Sequence, residues 1–181
     1  MMLKRILVIS AIFVTMTQAA LAGSFYLAPS LVFQDITAQH SSYRGFAPRF
    51  AVGYGTEIPE TIVLVGAEIF GTYGSLLITN NHPNGEASVR TSREIGLSVL
   101  PGVRLNKSTI GFARLGVVTD VFSTSNTSKA GGQFGVGIET TMTDSWDIRG
   151  EYDYTAFGSV GQGRGSPGAD TYMIGFVRRF A

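Results

Sequence analysis

Between Trp146 and Tyr154, apolar and charged side chains trade places along the chain. Ile148, Tyr152 and Tyr154 fall on one face of an extended backbone, and Arg149, Glu151 and Asp153 on the other. A period of two marks a β-strand, because successive side chains leave a strand on opposite sides. The same alternation sets Phe50, Val52 and Tyr54 against Arg49, Ala51, Gly53 and Gly55. It also sets Phe134, Val136 and Ile138 against Gln133, Gly135, Gly137 and Glu139. Helices are disfavoured as well, since many of the 23 glycines lie in apolar stretches where each costs a helix about 1 kcal/mol.

Followed through the chain, the alternation predicts eight strands, near 24–34, 48–56, 62–73, 88–105, 109–122, 132–142, 146–157 and 171–180. The connections alternate in length. Long ones fall near 35–47, 74–87, 123–131 and 158–170; short ones are Glu57–Thr61, Asn106–Ser108 and Thr143–Ser145. An up-and-down barrel in an outer membrane has short periplasmic turns and longer external loops, so this order puts both termini in the periplasm. The expected fold is all-β, an eight-stranded antiparallel up-and-down transmembrane β-barrel.

The N-terminus is built differently. Lys4 and Arg5 precede an apolar run from Ile6 to Val14, and small residues follow around Ala19 to Gly23. That order predicts a secretory signal peptide over 1–22, with Ala20 and Ala22 in the small-x-small positions and Gly23 opening the mature barrel domain, 23–181. The apolar run is short for a membrane helix of roughly 20 residues. Losing Lys4 and Arg5 takes the basic residues from 14 to 12, against 13 acidic ones. That balance leaves no nucleic-acid footprint. With no cysteine, the chain has neither disulfides nor thiolate metal sites.

Alternation alone does not say which face meets water, since a soluble calyx turns its apolar face inward. The glycines lie on the polar face, where a narrow eight-stranded interior must make room for long charged side chains. The opposite face is bulky and aromatic, as lipid contact requires. Tyr26, Tyr54, Tyr73, Trp146, Tyr152, Phe157, Tyr172 and Phe180 fall mostly towards strand ends, where interfacial girdles are expected. The same phase places Glu68, Glu94, Arg114, Glu139, Arg149, Glu151 and Arg179 inside. Buried charges persist only when paired, so an ion-pair network filling the lumen is expected.

Three stretches carry a family resemblance: Ile95 to Leu105 with Phe112-Ala113-Arg114-Leu115-Gly116, then Gly135-Val136-Gly137-Ile138-Glu139, and Trp146 to Tyr154. Together they resemble the OmpA-like and OmpX-like outer-membrane β-barrel superfamily, including the opacity-protein type, over nearly the whole mature chain. The resemblance implies a Gram-negative outer membrane, contact with its lipids and lipopolysaccharide, and export through the periplasm. The C-terminus resembles the signal read by the outer-membrane assembly machinery, with Gly175, Phe176 and Phe180 in the expected kind of pattern. It departs from that pattern at Arg178, where an aromatic or apolar residue is usual, and at Ala181, which follows the customary final Phe.

Some barrels of this size modify lipid A, but the only histidines, His40 and His82, fall in predicted loops without a strand-borne His-x-Ser arrangement. The Gly-rich segment from Gly158 to Gly168 lacks the Gly-Lys-Ser/Thr ending of a phosphate cradle and reads as a surface loop. Asn106-Lys107-Ser108 and Asn126-Thr127-Ser128 match a glycosylation pattern that carries no role here. No catalytic, cofactor or metal residues are assigned. The expected function is non-enzymatic: a barrel anchoring four surface loops for envelope integrity or adhesion, with a host or surface ligand held by the loops. Tyr43, Arg44, Phe46 and Arg49 form either a lipopolysaccharide or host contact, or an interfacial rim. Leu76-Leu77-Ile78 is either a loop patch or an extension of the third strand. A narrow channel, a lipid A-modifying enzyme and a soluble periplasmic calyx are the alternatives.

Overall fold

The computed structural model describes residues 23–38, 41–74, 76–81, 91–122, 127–158 and 168–180. Nine antiparallel segments make one sheet: β1 (Ser24–Ala38), β2 (Ser41–Glu57), β3 (Val63–Tyr73), β4 (Leu76–Asn81), β5 (Thr91–Arg104), β6 (Thr109–Phe122), β7 (Thr127–Thr143), β8 (Trp146–Phe157) and β9 (Gly168–Phe180). β3 and β4 are two lengths of one barrel strand, since both run along β2: Arg49 lies across from Thr72, and Phe46 from Leu76. Between them Gly74 has φ +67°, a left-handed conformation that glycine adopts without a Cβ penalty. Counted so, each strand pairs with the next along the chain, β1 also pairs with β9, and the ring closes. The barrel is therefore eight-stranded, and Leu76 to Ile78 extend the third strand.

The alternation sorts side chains across the wall. Facing out are Phe50, Ile69, Ile95, Val117, Ile138 and Ile174, each more than half exposed. Facing in are Arg49, Glu68, Glu94, Arg114, Glu139, Arg149 and Glu151, all buried. A soluble calyx has the reverse arrangement, so the calyx alternative is set aside.

The strands reach further than the alternation alone predicts. Segment 35–47, expected as a long connection, belongs mostly to a hairpin whose register runs unbroken from Ser24 opposite Gly55 to Ala38 opposite Ser41. Polar residues such as Asp35, Thr37 and Arg44 give that stretch a loop-like composition. They are nonetheless strand residues, and Arg44 Nε donates to Asp35 at 2.8 Å across the hairpin. β7 likewise begins at Thr127 and β9 at Gly168, shortening the third and fourth long connections. Tyr26 and Phe157, expected in interfacial girdles, point into the lumen and are buried, because their positions fall on the inward phase. Residues 1–22, with Ala20 and Ala22, lie outside the described residues, as do His40, His82, Ala181 and most of the Gly-rich connection. Gly23 is the first residue described, and its backbone N–H donates to the Tyr54 hydroxyl at 3.1 Å.

Candidate functional site

Three lumen rings each lie over the glycine directly across on the next strand: Tyr26 over Gly53, Phe70 over Gly96 and Phe112 over Gly137. The fit leaves no room for a side chain. A Cβ on Gly53 would stand 2.2 Å from the Tyr26 ring, one on Gly96 2.3 Å from Phe70, and one on Gly137 2.4 Å from Phe112. An aromatic ring laid over a cross-strand glycine covers backbone that would otherwise be bare and sets the ring's orientation.

Guanidinium groups stack on these rings in turn. Arg49 lies 4.4 Å and Arg114 5.3 Å from the Phe70 centroid, while Arg149 is 5.1 Å from Phe112 and 5.3 Å from Tyr26. A cation over a ring face is attracted by the ring quadrupole, and the attraction grows where water is excluded. Each of these arginines also donates to at least two carboxylates.

In the middle of the lumen, Arg114 donates to Glu68 at 2.7 Å and to both oxygens of Glu151. Arg149 joins Glu68 at 2.7 Å to Glu139 at 2.8 Å, and the Tyr26 hydroxyl donates to Glu68 at 3.0 Å. Towards the end that holds Gly23 and Phe180, Arg179, about one-third exposed, reaches Glu139 and donates to Asp147 at 2.7 Å. Towards the opposite end Arg49 donates to Glu94 at 2.8 Å, Asp153 at 3.1 Å and Thr72 at 3.0 Å. Above this layer the interior turns apolar, with Ile36, Tyr43, Val118, Phe157 and Ala169 in one buried cluster with Phe70.

The seven charged residues placed inside by the alternation thus share one connected interior. Arg49, Asp120, Asp147, Asp153 and Tyr26 stand there with them. For Arg49 and Asp153 the signal was plain, since both sit on the charged phase of their strands. Asp120 stands directly across from Glu94, and neither of its carboxylate oxygens has a hydrogen-bond partner among the described residues. Of the four residues considered for the outer rim, Tyr43 and Arg49 are instead buried inside; their strand positions have the inward phase. Arg44 and Phe46 do face outward.

Below the ion pairs the barrel opens into a vestibule of about 540 Å³, lined in part by Arg104, Glu57, Asp147, Leu100 and Ile110. Arg104 and Glu57 form an ion pair at its edge. At the C-terminal strand, Gly175 faces in beside Ser30, whereas Phe176, Arg178 and Phe180 face out.

Residues 6–180 match the family model described as the outer membrane protein beta-barrel domain. No curated protein sequence matches the chain. Among solved structures, Ail, the attachment invasion locus protein of Yersinia pestis, crystallised with the heparin analogue sucrose octasulfate, gives a TM-score of 0.59 at 16% identity, covering 88% of this chain and 99% of its own. Neisserial surface protein A gives 0.56 at 17% identity with the same coverages, 88% and 99%. A major outer membrane protein from Thermus thermophilus gives 0.54 at 12% identity, covering 88% of this chain and all of its own. At these identities the likeness is one of fold.

Proposed function

The chain belongs to the outer membrane protein beta-barrel domain family, and from that premise we propose that it is a non-enzymatic platform whose closed barrel holds four outer connections at the cell surface for envelope integrity or adhesion. Its location is the outer membrane of a Gram-negative bacterium. The observation that carries the reading is the filled lumen. Among the described residues, Arg49, Glu94, Asp153 and Phe70 fill one level and Arg114, Glu68 and Glu151 the next, which supports a lumen that solutes do not cross freely. A rigid scaffold with an occluded centre places recognition in the connections that leave it.

Residues 1–22 act as the export signal in this reading, with cleavage after Ala22. Gly175, Phe176 and Phe180 present the last strand to the assembly machinery. Outer-membrane lipids and lipopolysaccharide surround the outward face, and a host or surface ligand meets the outer connections. A sulfated polyanion of the kind crystallised with the Yersinia pestis protein is the first class to screen.

The periplasmic vestibule favours one second reading, a narrow channel gated by the ion pairs above it. Planar-bilayer recording separates the two. The purified barrel is expected to give no large, stable single-channel currents, and such currents overturn the platform in favour of the channel. Lipid A from cells with and without the protein is expected to have the same mass spectrum; a changed mass makes the barrel an enzyme.

A further inference from the structure

Arg178 departs from the usual assembly-signal pattern, and the wall of the barrel gives that departure a setting. It lies on the outward phase of β9 between Phe176 and Phe180, both exposed to the lipid side. Directly across from it stand Trp146 on β8 and Leu27 on β1. Its guanidinium carbon is 5.3 Å from the Trp146 ring and 5.7 Å from the Phe180 ring. Trp146 is itself set edge-on against Phe176, with centroids 6.5 Å apart. The group is thus held between two rings at the periplasmic end of the lipid-facing surface.

Among the described residues no carboxylate forms an ion pair with Arg178. Asp144, in the turn before β8, is exposed and borders the vestibule. A guanidinium facing lipid is costly unless it reaches the headgroups, and its planar fork of N–H donors suits a phosphate. Stacking on Trp146 and Phe180 occupies the faces of the fork and leaves its edges free to donate.

We propose that Arg178, Trp146 and Phe180 form a site for the phosphodiester headgroup of an anionic phospholipid in the periplasmic leaflet. A zwitterionic headgroup brings its own cation to its phosphate, whereas an anionic one does not, so the site selects by charge. The residue at which the assembly pattern is broken thereby serves the finished barrel in its membrane.

Trp146 is the only tryptophan of the chain, so its fluorescence reports on this site alone. The folded protein is reconstituted into vesicles in which either phosphatidylglycerol or phosphatidylcholine carries brominated, quenching acyl chains. Wild type is expected to show about a fivefold preference for phosphatidylglycerol at Trp146, the gain of one basic residue at an anionic surface. Arg178→Gln brings the preference to parity, and Arg178→Lys keeps part of it. A wild type with no preference, or one unchanged in Arg178→Gln, overturns the site and leaves Arg178 to a carboxylate of the chain itself. Should Arg178→Gln fail to fold, a salt series on wild type decides: the preference must fall as ionic strength rises, and a preference indifferent to salt overturns the proposal.

Discussion

The outer face of β7 presents Phe134, Val136 and Ile138 to lipid, while its inner face packs Gly135 under Asp153, Gly137 under Phe112 and Glu139 against Arg149 and Arg179. Outside, any bulky apolar side chain meets the same fluid neighbour, and position matters only through depth. Inside, each residue has a named partner at a fixed distance, so its size and charge are specified together. One strand therefore carries a permissive code and a restrictive one on alternate residues.

Arg114→Met should produce the largest effect. It leaves the buried carboxylates of Glu68 and Glu151 short of a counter-charge, a loss of about 3–5 kcal/mol when one member of a buried ion pair is removed. Urea unfolding of the barrel in phospholipid vesicles, followed by Trp146 fluorescence, measures it. Adding Glu151→Gln to the same chain should recover part of the loss, because contacting residues couple; a purely additive pair breaks the network description.

Next comes a charge on the permissive face. Val136→Arg, halfway along β7, should cost about 2–4 kcal/mol in the same assay, as arginine does near the middle of the lipid band. A neutral result would mean that this face is covered by something other than hydrocarbon. Gly96→Ala follows at about 1–3 kcal/mol, since the Phe70 ring and the arginines stacked on it must move to admit one methyl group. Smallest is Val136→Ile, expected to stay within about 0.5 kcal/mol. If Gly96→Ala were as mild as Val136→Ile, the contrast between the faces would lose its physical basis.

How far this could be read in advance differs between wall and lumen. Strand type and phase were legible because lipid and ion pairs demand opposite chemistries at adjacent residues, as at Tyr152 and Asp153. β8 was legible to its residue ends, 146–157, because the short turn Thr143–Ser145 bounds its start. The strand was not legible over 35–47, since there the outward face turns polar at Asp35, Thr37, Ser42 and Arg44, only scattered apolar residues such as Ile36 and Tyr43 mark the inward face, and cross-strand bonds such as Arg44 with Asp35 hold the hairpin. Partner choice in the lumen was also hidden. That Arg49 meets Glu94 and Asp153 depends on the stagger between strands far apart in sequence, a property of ring closure with no local trace. The placement of Tyr26 shows the same limit: an aromatic near a strand end looks like a girdle residue until its phase sets it over Gly53.

Ring closure also has a consequence in time. Phe25 at the start of β1 pairs with Phe180 at the end of β9, so the first strand finds this neighbour only when all the strands between them are available to close the ring. Contacts that span the full sequence are slow to form, because the loop they close must be ordered before anything is gained. Once made, the seam has no free edge from which the sheet can fray, and the molecule must open as a unit or not at all. A barrel of this kind should accordingly outlast its equilibrium stability, keeping its compact form in detergent until heated, with unboiled and boiled samples migrating differently on electrophoresis.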